Sequence, residues 1–142
     1  MLNTVSDLTM SAETTESVEP EPDDPVQIAA RKFQKELNAG LIALVLLSVL
    51  DKTEGDLYGY QIAKQLQSAA PDANFVKQGA LYPVLRNMSA SGLLASRVVP
   101  SYAGPPRRYY RITEQGRTVL KAWLESWRST RAFVELFAGE QP

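Results

Sequence analysis

The chain has 142 residues, 44% of them apolar and 22% charged, with a formal net charge of −1, no Cys and no His. One ordinary globular domain fits that length and composition, and the two missing residue types exclude a disulfide framework, a thiol nucleophile, Cys/His zinc sites and any catalytic triad that needs imidazole. The net charge hides a division: residues 1–25 hold seven of the sixteen acids and no Lys or Arg, so all fifteen bases lie from Val26 onward, against nine acids.

The first segment, 1–25, is acidic, rich in Ser, Thr and Pro, and free of aromatic residues, which predicts a disordered tail. It lacks the basic and apolar regions of a secretory signal. The longest apolar stretch, 41–50, is well short of the ~20 residues that span a bilayer, so a cytoplasmic protein with no membrane partner is expected. Residues 26–38 predict a helix with Ile28, Phe33 and Leu37 as its apolar positions, and Gly40 is the expected break or kink before a second helix at 41–50. That second piece is apolar nearly all round, so it belongs at the centre of the domain or in a dimer contact.

A loop at 51–56, closed by Gly55, leads into a helix with Tyr58, Ile62 and Leu66 at i, i+4 and i+8, ended by Pro71 and Asp72. The next helix, about 78–91, carries Leu81, Leu85 and Met88 on one stripe, with Pro83 expected near its first turn and Gly92 as its stop. Two strands follow at 93–99 and 107–113, joined by a hairpin tip. The second alternates Arg108, Tyr110 and Ile112 on one face against Arg107, Tyr109 and Arg111 on the other. Thr113 is the expected N-cap of a last helix reaching about Phe137. On it Leu120, Trp123, Trp127, Thr130, Val134 and Phe137 recur every three or four residues, the seam of a helix packed on a partner helix, which predicts a homodimer. The expected organisation is a tail at 1–25, one domain at 26–137 and a short C-terminal tail at 138–142.

This order reads as a mainly α fold with a small β-hairpin wing, a winged helix-turn-helix with N-terminal and C-terminal dimerisation helices. Residues 58–121 hold nine bases and two acids, an excess that points to a polyanion partner, double-stranded DNA. In this architecture one helix enters the major groove and the hairpin reaches the adjacent backbone or minor groove. With Leu81, Leu85 and Met88 facing inward, Gln78, Tyr82, Arg86 and Asn87 face out. With Lys77, Gly79, Arg107 and Arg108 they form the candidate DNA-binding set. Gln suits adenine, Arg suits guanine or phosphate, and a Tyr hydroxyl suits phosphate. Arg107 is the favoured wing contact; Arg108 stands between contact and structural pairing. Gly59, Tyr60, Tyr109 and Tyr110 read as packing residues. A protein-interaction adaptor using the Trp123/Trp127 seam is the alternative. The carboxylates outside the tail form no acid/base pair or metal cluster, so no enzyme, cofactor or metal is expected.

Several stretches together carry a resemblance: Tyr58-Gly59-Tyr60-Gln61-Ile62-Ala63, Gly79-Ala80-Leu81-Tyr82-Pro83-Val84-Leu85-Arg86, Gly92-Leu93-Leu94, and the run from Gly104-Pro105-Pro106-Arg107-Arg108 through Gly116-Arg117. In this order and spacing the chain resembles the PadR-like transcriptional regulators. It departs from them at Tyr58, where His is usual, at Ala80, where Thr or Ser is common, and at Asn87, Ser89, Ala90 and Ser91, which replace a run of Arg and Glu. The resemblance implies a dimeric repressor of the short form, without a large C-terminal effector domain, pairing through its last and first helices. Relatives repress stress, detoxification and drug-efflux genes, and one small member modifies a circadian clock. Glu125-Ser126-Trp127 is similar to the stretch whose Trp stacks flat aromatic ligands in drug-responsive relatives. An aromatic stripe at this spacing more often builds a core, and the ligand pocket at Trp127 is the second reading.

Overall fold

The computed structural model describes residues 24–71 and 78–139. The 1–25 tail, apart from Asp24 and Pro25, and residues 140–142 lie outside them. Seven elements follow in order: α1 (Pro25–Asp51), β1 (Leu57–Tyr58), α2 (Gly59–Ala69), α3 (Gln78–Ala90), β2 (Leu94–Val99), β3 (Arg107–Ile112) and α4 (Glu114–Ala138). The chain divides into two units inside α1, Met1–Gln34 and Lys35–Pro142. Of the first unit, the described part is the start of α1. There Asp24 Oδ1 accepts from the Gln27 N–H at 2.8 Å and Pro25 takes the first helical position, where its missing N–H costs nothing. Val26, Ile28 and Phe33 are exposed.

The second unit is a winged helix. Helix α1 runs unbroken through Gly40, not as the two pieces expected. Glycine weakens a helix by about 1 kcal/mol relative to Ala, and the apolar run after it outweighs that when packed. Ile42, Leu46, Leu47 and Leu50 from α1 enter the core, where Ile62 of α2, Leu81, Leu85 and Met88 of α3, Leu94 of β2, Tyr110 and Ile112 of β3, and Leu120 of α4 meet them. Ser48 interrupts the apolar run without leaving a polar group unpaired, because its hydroxyl donates to the Leu44 carbonyl at 2.7 Å. By length and mean hydropathy, 1.5, α1 could cross a bilayer, which the 41–50 stretch alone could not. Its buried face is used inside the domain.

The sheet has the order β1-β3-β2, antiparallel throughout. β2 and β3 are the expected hairpin. β1 was not expected: Tyr58 lies in a strand and caps α2, with its N–H donated to Gln61 Oε1 at 3.1 Å. Gly92 ends α3 at φ +83°, a left-handed conformation that favours glycine. Pro83 sits inside α3, deeper than the first turn, and is exposed. Thr113 caps α4 as expected, its Oγ1 accepting from the Gly116 N–H at 2.9 Å and its hydroxyl lying 2.7 Å from the Gly92 carbonyl. One side chain thus fastens the start of α4 to the end of α3.

Candidate nucleic-acid interface

Helix α3 buries Leu81, Leu85 and Met88 and turns Gly79, Arg86 and Asn87 outward. Lys77 and the Gln78 side chain lie outside the described residues. A Cβ added at Gly79 would meet open space, so backbone can approach there without obstruction. Tyr82 is half-buried. A Cβ at Gly59 would overlap its ring, so the bare backbone at the start of α2 is what lets α3 pack this closely. Gly59 is a packing residue, as expected, whereas Tyr60 is 52% exposed and stacks on Tyr58, outside the core.

The wing sorts its residues by face. On the inner face Tyr110 and Ile112 are buried, and Arg108 Nη1 donates to Ser96 Oγ at 3.2 Å. Ser89 of α3 lies 3.3 Å from the same oxygen, so a polar chain joins the helix to the wing arginine. Burial raises the Tyr110 phenol above the ordinary tyrosine value, and Arg108 and Arg86 pull the other way. The wing arginine and the α3 arginine therefore act on one buried hydroxyl.

The outer face carries rings and cations. The Arg107 guanidinium lies over the Tyr58 ring, 4.6 Å from its centroid. Arg97 lies over Tyr109 at 5.3 Å while its Nε donates to Asp56 Oδ2 at 2.7 Å. No carboxylate pairs with Arg86, Arg107, Arg108 or Arg111 among the described residues. Like charges left unpaired on α3 and the wing make this the end of the domain suited to a polyanion. Sequence reasoning missed Tyr58 and Arg97, because contacts between residues so distant in sequence leave no local pattern.

The residues of the expected dimer seam separate. Leu120 is 4% exposed in the core of its own chain, so it cannot serve a partner. Trp123 and Trp127 are half-buried, and Val134 and Phe137 are exposed beside Phe133 and Leu136. Trp127 lines two open cavities of about 420 and 440 Å³ between α1 and α4, both bordered by Leu41 and Leu44. No group of His, Cys, Asp and Glu that could hold a metal occurs among the described residues.

Residues 46–122 match the profile of the transcriptional regulator PadR-like family. Among solved structures, a PadR family transcriptional regulator from Eggerthella lenta is 28% identical, covering 81% of this chain and 97% of its own, with a TM-score of 0.68. A transcriptional regulator from Clostridium thermocellum is 27% identical, covering 72% of this chain and 98% of its own, at 0.65. PadR of Bacillus subtilis, solved in complex with operator DNA, shares the fold at 24% identity and 0.53, covering 59% of this chain and 46% of its own.

Proposed function

The chain belongs to the PadR-like family of transcriptional regulators, and on that premise we propose that it is a dimeric repressor that binds an inverted repeat in double-stranded DNA. Its family is one of regulators and not of enzymes. The observation that carries the reading is the set of exposed cations on α3 and the wing that have no carboxylate partner among the described residues, with Arg108 joined to Ser89 of α3 through Ser96. Operator binding by the Bacillus subtilis relative supports it.

In this reading α3 lies in the major groove. Arg86 addresses guanine, Asn87 and Gln78 address adenine, and the Tyr82 hydroxyl and Lys77 address phosphates. The 100–108 wing follows the flanking backbone or minor groove, with Arg107 as its main contact and Arg108 tied to Ser96 beside it. Two copies pair through the exposed far half of α4, with Val134 and Phe137 in the contact, and present their α3 helices to half-sites about one helical turn, ~34 Å, apart. The protein works in the cytoplasm by occupying its site. A flat aromatic molecule against Trp127 is the effector that the two cavities suit by size and lining. Quenching of Trp fluorescence by such molecules, lost in Trp127→Leu, tests that part.

Selection of genomic fragments with the purified protein at low and physiological salt, followed by footprinting, tests the whole. One protected inverted repeat that survives physiological salt is the expected result. Arg86→Ala then relaxes the base preference by a discrimination of about 1–3 kcal/mol, and Arg107→Ala weakens all sequences alike while lowering the salt slope by about 1. Weak, uniform retention at low salt alone would contradict the reading.

A further inference from the structure

The ring of Tyr58 is fixed from several sides. Its backbone is held by Gln61 Oε1 and by pairing with Tyr109 across the β1–β3 ladder. Its ring leans on Tyr109 at 5.3 Å between centroids and stacks on Tyr60 at 6.2 Å. Over this platform lies the Arg107 guanidinium, 4.6 Å away. We propose that Tyr58 is a positioning residue that holds Arg107 as a preorganised clamp for a DNA backbone phosphate. The proposal rests on the duplex-binding reading above and does not need a particular operator.

The chemistry lies in which part of the guanidinium the ring uses. A guanidinium held over a ring meets it with one side, and the N–H donors on its other sides are left for acceptors. Arg107 has no carboxylate partner among the described residues, so those donors are open to phosphate oxygens. A long side chain already confined by folding loses less freedom on binding. Arg97 provides the internal contrast. It also lies over a ring, Tyr109, but its edge is engaged by Asp56 at 2.7 Å, and that carboxylate is only 17% exposed. A cation over a ring is therefore a tie at Arg97 and a clamp at Arg107.

The test measures binding of the full chain to a random-sequence duplex by fluorescence anisotropy across a salt series, with thermal unfolding of every variant. Tyr58→Leu is expected to weaken binding about two- to fivefold, the scale of an exposed cation–π contact, while Tyr58→Phe, which keeps the ring, binds as the wild type does. Arg107→Ala removes the cation that the ring holds, and in that background Tyr58→Leu adds no further loss. Unchanged or tighter binding by Tyr58→Leu, or an equal loss in both backgrounds, would overturn the proposal. A second readout needs only the wild type: the Arg107 side-chain protons carry an upfield ring-current shift that persists when duplex is added. Disappearance of that shift on binding would equally overturn it. A chain that binds random duplex but prefers no sequence defeats the regulator reading and leaves this proposal standing, whereas a chain that binds no duplex defeats both.

Discussion

The winged-helix body and the far half of α4 carry apolar side chains at the same helical spacing and put them to opposite uses. On the body's side of α4, Leu120 is 4% exposed and Trp123 and Leu124 pack against the core. Beyond Trp127 every described residue of the helix is exposed, including Phe133, Val134, Leu136 and Phe137. The two aromatic rings there meet edge to face at 5.3 Å. Spacing alone shows which residues share a stripe; what covers the stripe depends on where the neighbouring helices stop. An exposed cluster of four large apolar side chains is more than the scattered apolar residues normal on a surface, and the proposed pairing rests on it.

The sharpest test separates folding from association. Leu46→Ala, at a position with no exposure in the core, is expected to destabilise the fold by about 2–5 kcal/mol, measured by urea unfolding at a concentration where the oligomer is fixed. Phe137→Ser, at a position 76% exposed, is expected to change the stability of the single chain by no more than about 0.5 kcal/mol. It shifts the sedimentation profile toward monomer instead. A Phe137→Ser chain that unfolds like Leu46→Ala would show that the far half is part of the body after all.

Much of the body was legible in the sequence because it is encoded locally. The Leu81, Leu85 and Met88 stripe, the Gly92 stop and the Thr113 cap each follow from residues within one or two helical turns, and all three are present. Strand β1 was not legible: two residues carry no period, and Leu57 and Tyr58 are a strand only because β3 offers them an edge. Propensity alone reads Gly40 as a break or kink, and the helix runs on through it because packing overrides propensity. Leu120 shares a stripe with Trp127 and Phe137, so spacing alone assigns it to the dimer seam, and the sequence does not say where one cover ends and another begins. Arg107 is legible as a contact from its place after the hairpin tip, but the ring beneath it comes from another strand and leaves no local signal.

Thr113 stands at the root of α4, where body and far half join, and tests how independent they are. Its side chain accepts from the Gly116 N–H at 2.9 Å. Thr113→Ala is expected to cost the body about 0.5–2 kcal/mol. The dimer should keep its dissociation constant, because a cap acts on the first turn and the contact lies at the other end. Parallel loss of stability and association would mean that the helix transmits the damage along its length.

The smallest effect is a dependence on alkaline pH confined to the body. Burial raises the Tyr110 phenol above its ordinary value, with Arg108 and Arg86 opposing, so the folded chain keeps this proton after the unfolded chain has lost it. Stability is then fully present below the unfolded value of ~10 and falls as pH rises past it. Tyr110→Phe removes the dissociating proton while keeping the ring, and urea midpoints compared at about pH 8 and about pH 10.5 should converge relative to the wild type. In the far half the charge pair among the described residues is Arg131 with Glu135 at 3.3 Å, both more than half exposed. Such an exposed pair contributes about 0–1 kcal/mol. The alkaline loss should therefore appear in the unfolding of the single chain and leave the monomer–dimer balance unmoved. If the wild-type slope survives in Tyr110→Phe, the phenol is hydrated in solution, and the wing sits less firmly on α3 than the burial of Tyr110 implies.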